Sequence, residues 1–75
     1  MHNLSSPSIT LLPKTAVGIV DRAITPSQPG RIRFQGSFWN ARFYNPNWNY
    51  AIHPGESITV VGRQGITLLV TLEEA

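Results

Sequence analysis

The sequence contains no cysteine and no apolar run long enough to form a membrane-spanning helix. Without cysteine, the chain can form no disulfide, no thiolate metal site and no cysteine nucleophile. A membrane-spanning helix needs about 20 consecutive apolar residues, and no stretch approaches that length. The N-terminus also lacks the charged start and apolar run of a secretory signal. We therefore expect a chain that is cytoplasmic or held at a membrane surface by a partner.

Acidic residues are scarce in the middle of the chain. Four Asp and Glu stand against six Lys and Arg among 75 residues, which gives a formal net charge of +2. Four of the arginines, Arg22, Arg31, Arg33 and Arg42, follow one another with no acid between them. Arginines on one face can attract acidic protein surfaces or phosphate. Dedicated nucleic-acid binders usually carry a denser basic patch.

Residues suited to catalysis are few and follow no known arrangement. Asp21, His53 and several serines are present, but no nucleophile-elbow motif orders them. Two histidines without cysteine do not build a convincing metal site. The six glycines are dispersed and form no phosphate-binding loop. We therefore predict that the chain is not an enzyme and has no catalytic residues, cofactor or metal.

Short alternating runs between glycine and proline turns predict a β protein of one domain. The predicted strands are 16–24, 31–34, 37–44, 57–63 and 66–72. The polar, proline-broken residues 1–14 predict a flexible lead-in, residues 15–72 the barrel domain, and residues 73–75 an acidic C-terminal tail.

Alternation assigns most strand residues to one face of the sheet. In the first strand both Val17/Ile19 and Val20/Ile24 are apolar, so its inward face stays open. The positions predicted to point inward are Ile32, Phe34, Trp39, Ala41, Phe43, Ile58, Val60, Ile66, Leu68 and Val70. The positions predicted to point outward are Arg31, Arg33, Phe38, Asn40, Arg42 and Tyr44.

Two glycine dipeptides and one long segment predict the connections. Gln35-Gly36 and Gln64-Gly65 each suit a tight two-residue hairpin turn. Residues 45–56 contain two prolines and predict an irregular crossing. Within it Trp48 either caps one barrel end or forms an exposed docking tip, and Tyr50 is predicted to be half-buried.

Five short strands in a small chain favour a closed sheet, because closure leaves few exposed edges. The order of a strand, a loop, a hairpin, a longer crossing and a second hairpin indicates an all-β, five-stranded Greek-key barrel of the OB type. An SH3-like barrel fits the same pattern and stays open at this point.

Turn glycines, an aromatic-Asn-Ala-Arg run and aliphatic strand positions follow one another through residues 15–72. These motif positions are Gly18, Pro26, Ser27, Gly30, Arg31, Ile32, Phe34, Gly36, Trp39, Asn40, Ala41, Arg42, Ile52, Gly55, Ile58, Val60, Val61, Gly62, Gly65, Leu68 and Val70. Their order and spacing resemble the C-terminal soluble domain of NfeD-like proteins. Two departures are Asn40, where an acidic residue is common, and Gln28-Pro29, which looks like a small insertion.

The resemblance implies an OB barrel that acts as a protein-interaction module. Such domains usually follow membrane-spanning helices, sometimes with a protease domain before them. They are associated with membrane proteins of the stomatin/SPFH type, so the resemblance implies a partner of this type. This chain contains neither the helices nor the protease.

The outward positions of the second and third strands are the predicted binding surface. Its residues are Arg31, Arg33, Phe38, Asn40, Arg42 and Tyr44, with Trp48 at the rim. Aromatic residues and arginine dominate the energetics of protein interfaces, so we favour a protein partner or self-association. The alternative is a single-stranded nucleic acid or an oligosaccharide on the same face, which many OB folds use. A third interpretation is a solvated face on which rings pack against arginine stems.

Overall fold

The structure is a computed structural model that describes residues 8–45 and 49–72. The part of the chain that it describes contains five strands. Their bounds are β1 Ile9–Arg22, β2 Gly30–Phe34, β3 Ser37–Phe43, β4 Ser57–Gln64 and β5 Thr67–Thr71. The predicted tail 73–75 lies outside the described residues.

The five strands close into a barrel in the order β1-β2-β3-β5-β4. All neighbours are antiparallel except β3 and β5, which are parallel. β1 pairs with β2 through its C-terminal half and with β4 through most of its length, and this double pairing closes the sheet. The order is that of a five-stranded Greek-key barrel. The all-β, OB-type fold expected from the sequence is therefore confirmed, and the SH3-like alternative is not adopted.

The core lies inside the barrel, and alternation places its side chains there. Nearly all positions predicted to point inward are buried, and Trp39 is half-buried against them. In β1 the structure decides the open question, because Val20 and Ile24 are buried while Val17 and Ile19 are exposed. The buried core residues are Val20, Ile24, Ile32, Phe34, Ala41, Phe43, Ile52, Ile58, Val60, Leu68 and Val70.

The first strand begins at Ile9, earlier than the predicted start at residue 16. Part of the predicted lead-in is therefore strand, and residues 1–7 lie outside the described part of the chain. Ile9 to Leu11 pair with Gln64 to Gly62, and a wide irregularity separates them from the pairing that resumes at Ala16. Pro13 lies in this irregularity and has no N–H to donate to a ladder. The proline pattern suggested a lead-in where the chain instead bulges and pairs again.

Ile66 does not point inward, and this prediction is wrong. It is 78% exposed and lies in the hairpin turn with Gly65, where Gln64 pairs with Thr67. The predicted Gln64-Gly65 turn is thus shifted by one residue. The register of β4 and β5 also shifts by one residue between Val60 and Gly62, at a bulge.

The Gln35-Gly36 hairpin is confirmed. Both residues have positive φ, 53° and 80°, and Phe34 pairs with Ser37 on either side of them. Positive φ at both central positions is the type I′ pattern, whose twist matches the flanking strands. This tight turn keeps β2 and β3 in register along their length.

Ile52 and backbone hydrogen bonds of Gly55 and Glu56 with Val20 anchor the crossing between β3 and β4. Ile52 is buried and forms a bridge with Ile24, with backbone bonds of 2.9 and 3.0 Å. Tyr50, predicted to be half-buried, is 67% exposed, so that prediction is wrong. In the apolar run from Tyr50 to Ile52, only Ile52 is buried, and the ring of Tyr50 lies outside the core. The question of whether Trp48 caps the barrel lies outside the described residues.

Candidate interaction surface

Four predicted surface residues lie together on the outer face of the β2–β3 hairpin. Arg31 is the cross-strand partner of Asn40, and Arg33 is the partner of Phe38. The hairpin register fixes these pairs, and alternation turns all four side chains away from the core. Phe38 is 58% exposed, which is unusual for a phenylalanine in a regular strand.

A bulge in β1 supplies this face with its acidic residue. The register shifts between Val20 and Arg22, so that Arg22 is the partner of Arg31 and Asp21 is the added residue. The Asp21 carboxylate accepts from Arg31 through Nε at 2.8 Å and lies 2.6 Å from Nη2. A bulge can redirect a side chain in this way. The pair is more than a third exposed, so we expect it to orient Arg31 more than to stabilise the fold.

Arg31 also stacks on Phe38. Its guanidinium carbon lies 5.1 Å from the centre of the ring, within the range of a cation–π contact. One side of Phe38 is therefore covered by an arginine that an aspartate already neutralises. At this position the structure has the ring-on-arginine packing that the sequence offered as a third interpretation.

Arg33 has a different environment. It is exposed and lies between Phe38 on β3 and Ile19 on β1. No ion pair or side-chain hydrogen bond joins it to any residue in the described ranges 8–45 and 49–72. The sheet fixes its backbone position, and its guanidinium is accessible to a ligand.

Arg42 and Tyr44 lie away from this group. The half-buried Arg42 donates from Nη2 to Oε1 of Gln64, across β5. Tyr44 follows the end of β3, and its backbone N–H donates to Val70 at 2.9 Å. Both residues line an open groove of about 440 Å³ at one end of the barrel, beside the β1–β2 loop. The seventh predicted surface residue, Trp48, lies outside the described residues.

Two surface residues were missed in the sequence. Val17 and Ile19 are 58% and 45% exposed on the outer face of β1. Ile19 is the direct partner of Arg33, so the apolar positions adjoin the hairpin face. A strand with apolar residues on both faces was itself the signal, because one of the two apolar sets must remain outside.

The residues considered for catalysis have structural contacts. Asp21 binds Arg31, and the backbone N–H of His53 donates to the Glu56 carboxylate at 2.9 Å. Within the described ranges, no three His, Cys, Asp or Glu side chains come close enough to hold a metal ion. No helix of that same portion could cross a bilayer.

Two solved structures are similar to this chain in fold and in sequence. One is the C-terminal domain of stomatin operon partner protein 1510-C from Pyrococcus horikoshii, with 34% identity and a TM-score of 0.65 over 79% of this chain and 84% of that one. Another is the soluble domain of a membrane protein implicated in regulation of membrane protease activity from Corynebacterium glutamicum. Its identity is 29% and its TM-score 0.66, over 77% of this chain and 87% of that one.

Comparison with curated proteins gave no match. The family model of the NfeD-like C-terminal, partner-binding domain matches residues 15–71, which include all of β2 to β5. That range covers most of the chain and contains the outer face described above. The chain therefore belongs to the family of NfeD-like C-terminal, partner-binding domains.

Proposed function

We propose that this chain is a non-catalytic interaction module that binds a stomatin-type protein through the outer face of the β2–β3 hairpin and through the exposed Tyr44, which follows β3. The observation that carries the proposal is Phe38, an exposed ring held in a regular strand beside Arg33, which has no ionic partner among the described residues. Aromatic and arginine side chains are the residues that supply most of the energy of protein interfaces.

The similar structures support the choice of partner class. One similar domain is named a stomatin operon partner, and the other is the soluble domain of a membrane protein. By analogy, this chain works at a membrane surface, where the partner or adjoining sequence holds it. Its role there is to present a rigid face. The strand register fixes the backbone of every residue in the proposed hairpin site, and side-chain contacts also orient Arg31.

Replacement of Phe38 and Tyr44 by serine tests the proposal. Binding of the soluble domain of a stomatin-type protein from the same organism should weaken, because the two exposed rings are lost. The thermal midpoint should stay nearly unchanged, because neither ring belongs to the core cluster. Calorimetric titration and thermal unfolding measure the two effects.

Ile66→Ser is the matched control, since it removes an exposed apolar side chain from a hairpin turn outside the site. It should leave binding unchanged. A large fall in the thermal midpoint of the Phe38 and Tyr44 variants, with unchanged binding, would show that the two rings are structural.

A single-stranded oligonucleotide is the alternative ligand for the same face. The exposed Arg33 beside Phe38 favours it, because bases stack on rings while arginines contact phosphates. Fluorescence titration at low and moderate salt tests it, since phosphate contacts make affinity fall steeply with salt. Absence of binding at low salt removes this alternative.

A further inference from the structure

We infer that the binding face extends onto β1 and that its ligand is a short protein segment in which acidic residues flank aliphatic ones. The inference rests on the proposed function and names the chemistry of the partner. Four features support it: the position of Val17 and Ile19, the uncompensated arginines, the size of the patch and the covered side of Phe38.

The strand register places the apolar residues and the arginine in one row. Phe38, Arg33, Ile19 and Ser57 are successive cross-strand partners on β3, β2, β1 and β4. Val17 lies two residues from Ile19 and therefore on the same face. Val17, Ile19 and Phe38 are each 45–58% exposed, so an aliphatic ligand could bury substantial apolar area there.

The charge of this face is positive after internal pairing. Arg31 is neutralised by Asp21, whereas Arg22 and Arg33 form no ion pair within the described residues. Arg33 on β2 is the partner of Ile19 on β1. Arg22 lies further along β1 than Ile19, opposite Arg31. Two exposed guanidinium groups next to an apolar centre match carboxylates that flank an aliphatic side chain.

The dimensions fit a segment and not a large flat interface. Neighbouring strands lie about 4.8 Å apart, so the four-strand row spans about 14 Å. An extended peptide rises about 3.3 Å per residue, so four or five residues cross the row. Such a segment would meet Phe38, Arg33 and Ile19 in turn.

The same face is poorly suited to nucleic acid. Two of its three exposed apolar residues are aliphatic and offer no ring on which a base can stack. Arg31 already covers one side of Phe38. The observations therefore favour an acidic, apolar protein segment over an oligonucleotide.

A labelled peptide of about ten residues, with two leucines flanked by glutamates, is the probe, and fluorescence anisotropy is the measurement. Two comparison peptides separate the two parts of the inference. One has lysine in place of glutamate, and the other has serine in place of leucine. We expect the parent peptide to bind and both comparison peptides to bind at least about tenfold more weakly, a change of about 1.4 kcal/mol.

Substitutions in the chain test whether the peptide binds to this face. Ile19→Ser and Arg33→Glu should each weaken binding of the parent peptide by about tenfold or more. Ile66→Ser and Arg63→Glu make the same chemical changes at exposed positions outside the row and should leave binding unchanged. All four variants alter exposed side chains, and thermal unfolding verifies that each is folded.

The outcomes separate this inference from the proposed function. If the parent peptide does not bind, or binds all variants equally, the inference is overturned. It is also overturned if an oligonucleotide binds more tightly than the peptide and Arg33→Glu weakens binding of that oligonucleotide. If Ile19→Ser still binds a stomatin-type protein while the Phe38 and Tyr44 variants do not, the proposed function holds and the inference fails. If neither the parent chain nor any variant binds the stomatin-type protein, the proposed function fails, whatever the result with the peptide.

Discussion

Trp39 is the residue whose environment is least expected from its pattern. Its side chain faces the core as alternation predicts, yet its indole Nε1 is buried and has no hydrogen-bond partner within the described part of the chain. A buried donor without a partner costs about 1–3 kcal/mol. The ring contributes to the core while its N–H opposes folding.

Replacement of Trp39 by phenylalanine should therefore cost little. The smaller ring loses some contact area, but the unpaired N–H is also removed, so we expect the free energy of unfolding to change by less than about 1 kcal/mol. Trp39→Ala removes the ring and should cost about 3 kcal/mol, the lower end for a large aromatic residue, because Trp39 is only half-buried. Chemical denaturation measures both. If the phenylalanine variant lost as much as the alanine variant, the N–H would have a stabilising partner.

The differences between the predicted and the observed elements occur at irregular pairing, turns and connections. Alternation predicted the β2–β3 hairpin correctly, because a regular hairpin keeps a period of two from Arg31 to Phe43. It failed at Ile66, because Gly65 and Ile66 form the turn between β4 and β5, whereas Leu68 and Val70 in β5 point inward as predicted. The outward set of β2 and β3 could be predicted for the same reason. The contribution of Val17 and Ile19 could not, because both faces of β1 are apolar and only closure of the barrel selects one.

The N-terminal part of β1 depends on a close approach to Gly62. A Cβ at Gly62 would lie 2.5 Å from the carbonyl oxygen of Thr10 and 3.1 Å from Leu11. Leu69, the β5 partner of Gly62, is fully buried although it is not part of the core cluster. The backbone of the paired segment from Ile9 to Leu11 therefore approaches Gly62 closely in the sheet.

Gly62→Ala should separate this segment from β4. A backbone oxygen cannot move as a flexible side chain can, so we expect a loss of about 1–3 kcal/mol in the free energy of unfolding. The matched background is a chain that begins at residue 12, in which the clashing residues are absent. In that background the substitution should cost much less, and denaturation of the four chains gives the coupling energy. Equal costs in both backgrounds would mean that Gly62 acts through its own backbone and not through the segment.

At the scale of the whole molecule, one core joins all five strands. Each strand contributes a residue that is at most 2% exposed: Val20, Ile32, Ala41, Val60 and Val70. β1 pairs with both β2 and β4. The sheet therefore closes only when the N-terminal strand and the C-terminal strands pair with each other. The proposed binding face crosses three of these strands. Its geometry therefore depends on the integrity of the entire barrel.

We therefore expect the barrel to unfold as one cooperative unit. Far-UV circular dichroism and tryptophan fluorescence should give coincident transitions in urea. Ile32→Val in β2 and Ile58→Val in β4 each remove one buried methylene, and each should cost about 0.5–1.5 kcal/mol. Both probes should shift by the same amount in both variants, with an unchanged dependence on denaturant, because both residues belong to the same core. A variant that shifted the transition seen by one probe and not by the other would show that the two halves of the barrel unfold separately. A face that crosses both halves would then lack the rigid register on which the proposed site depends.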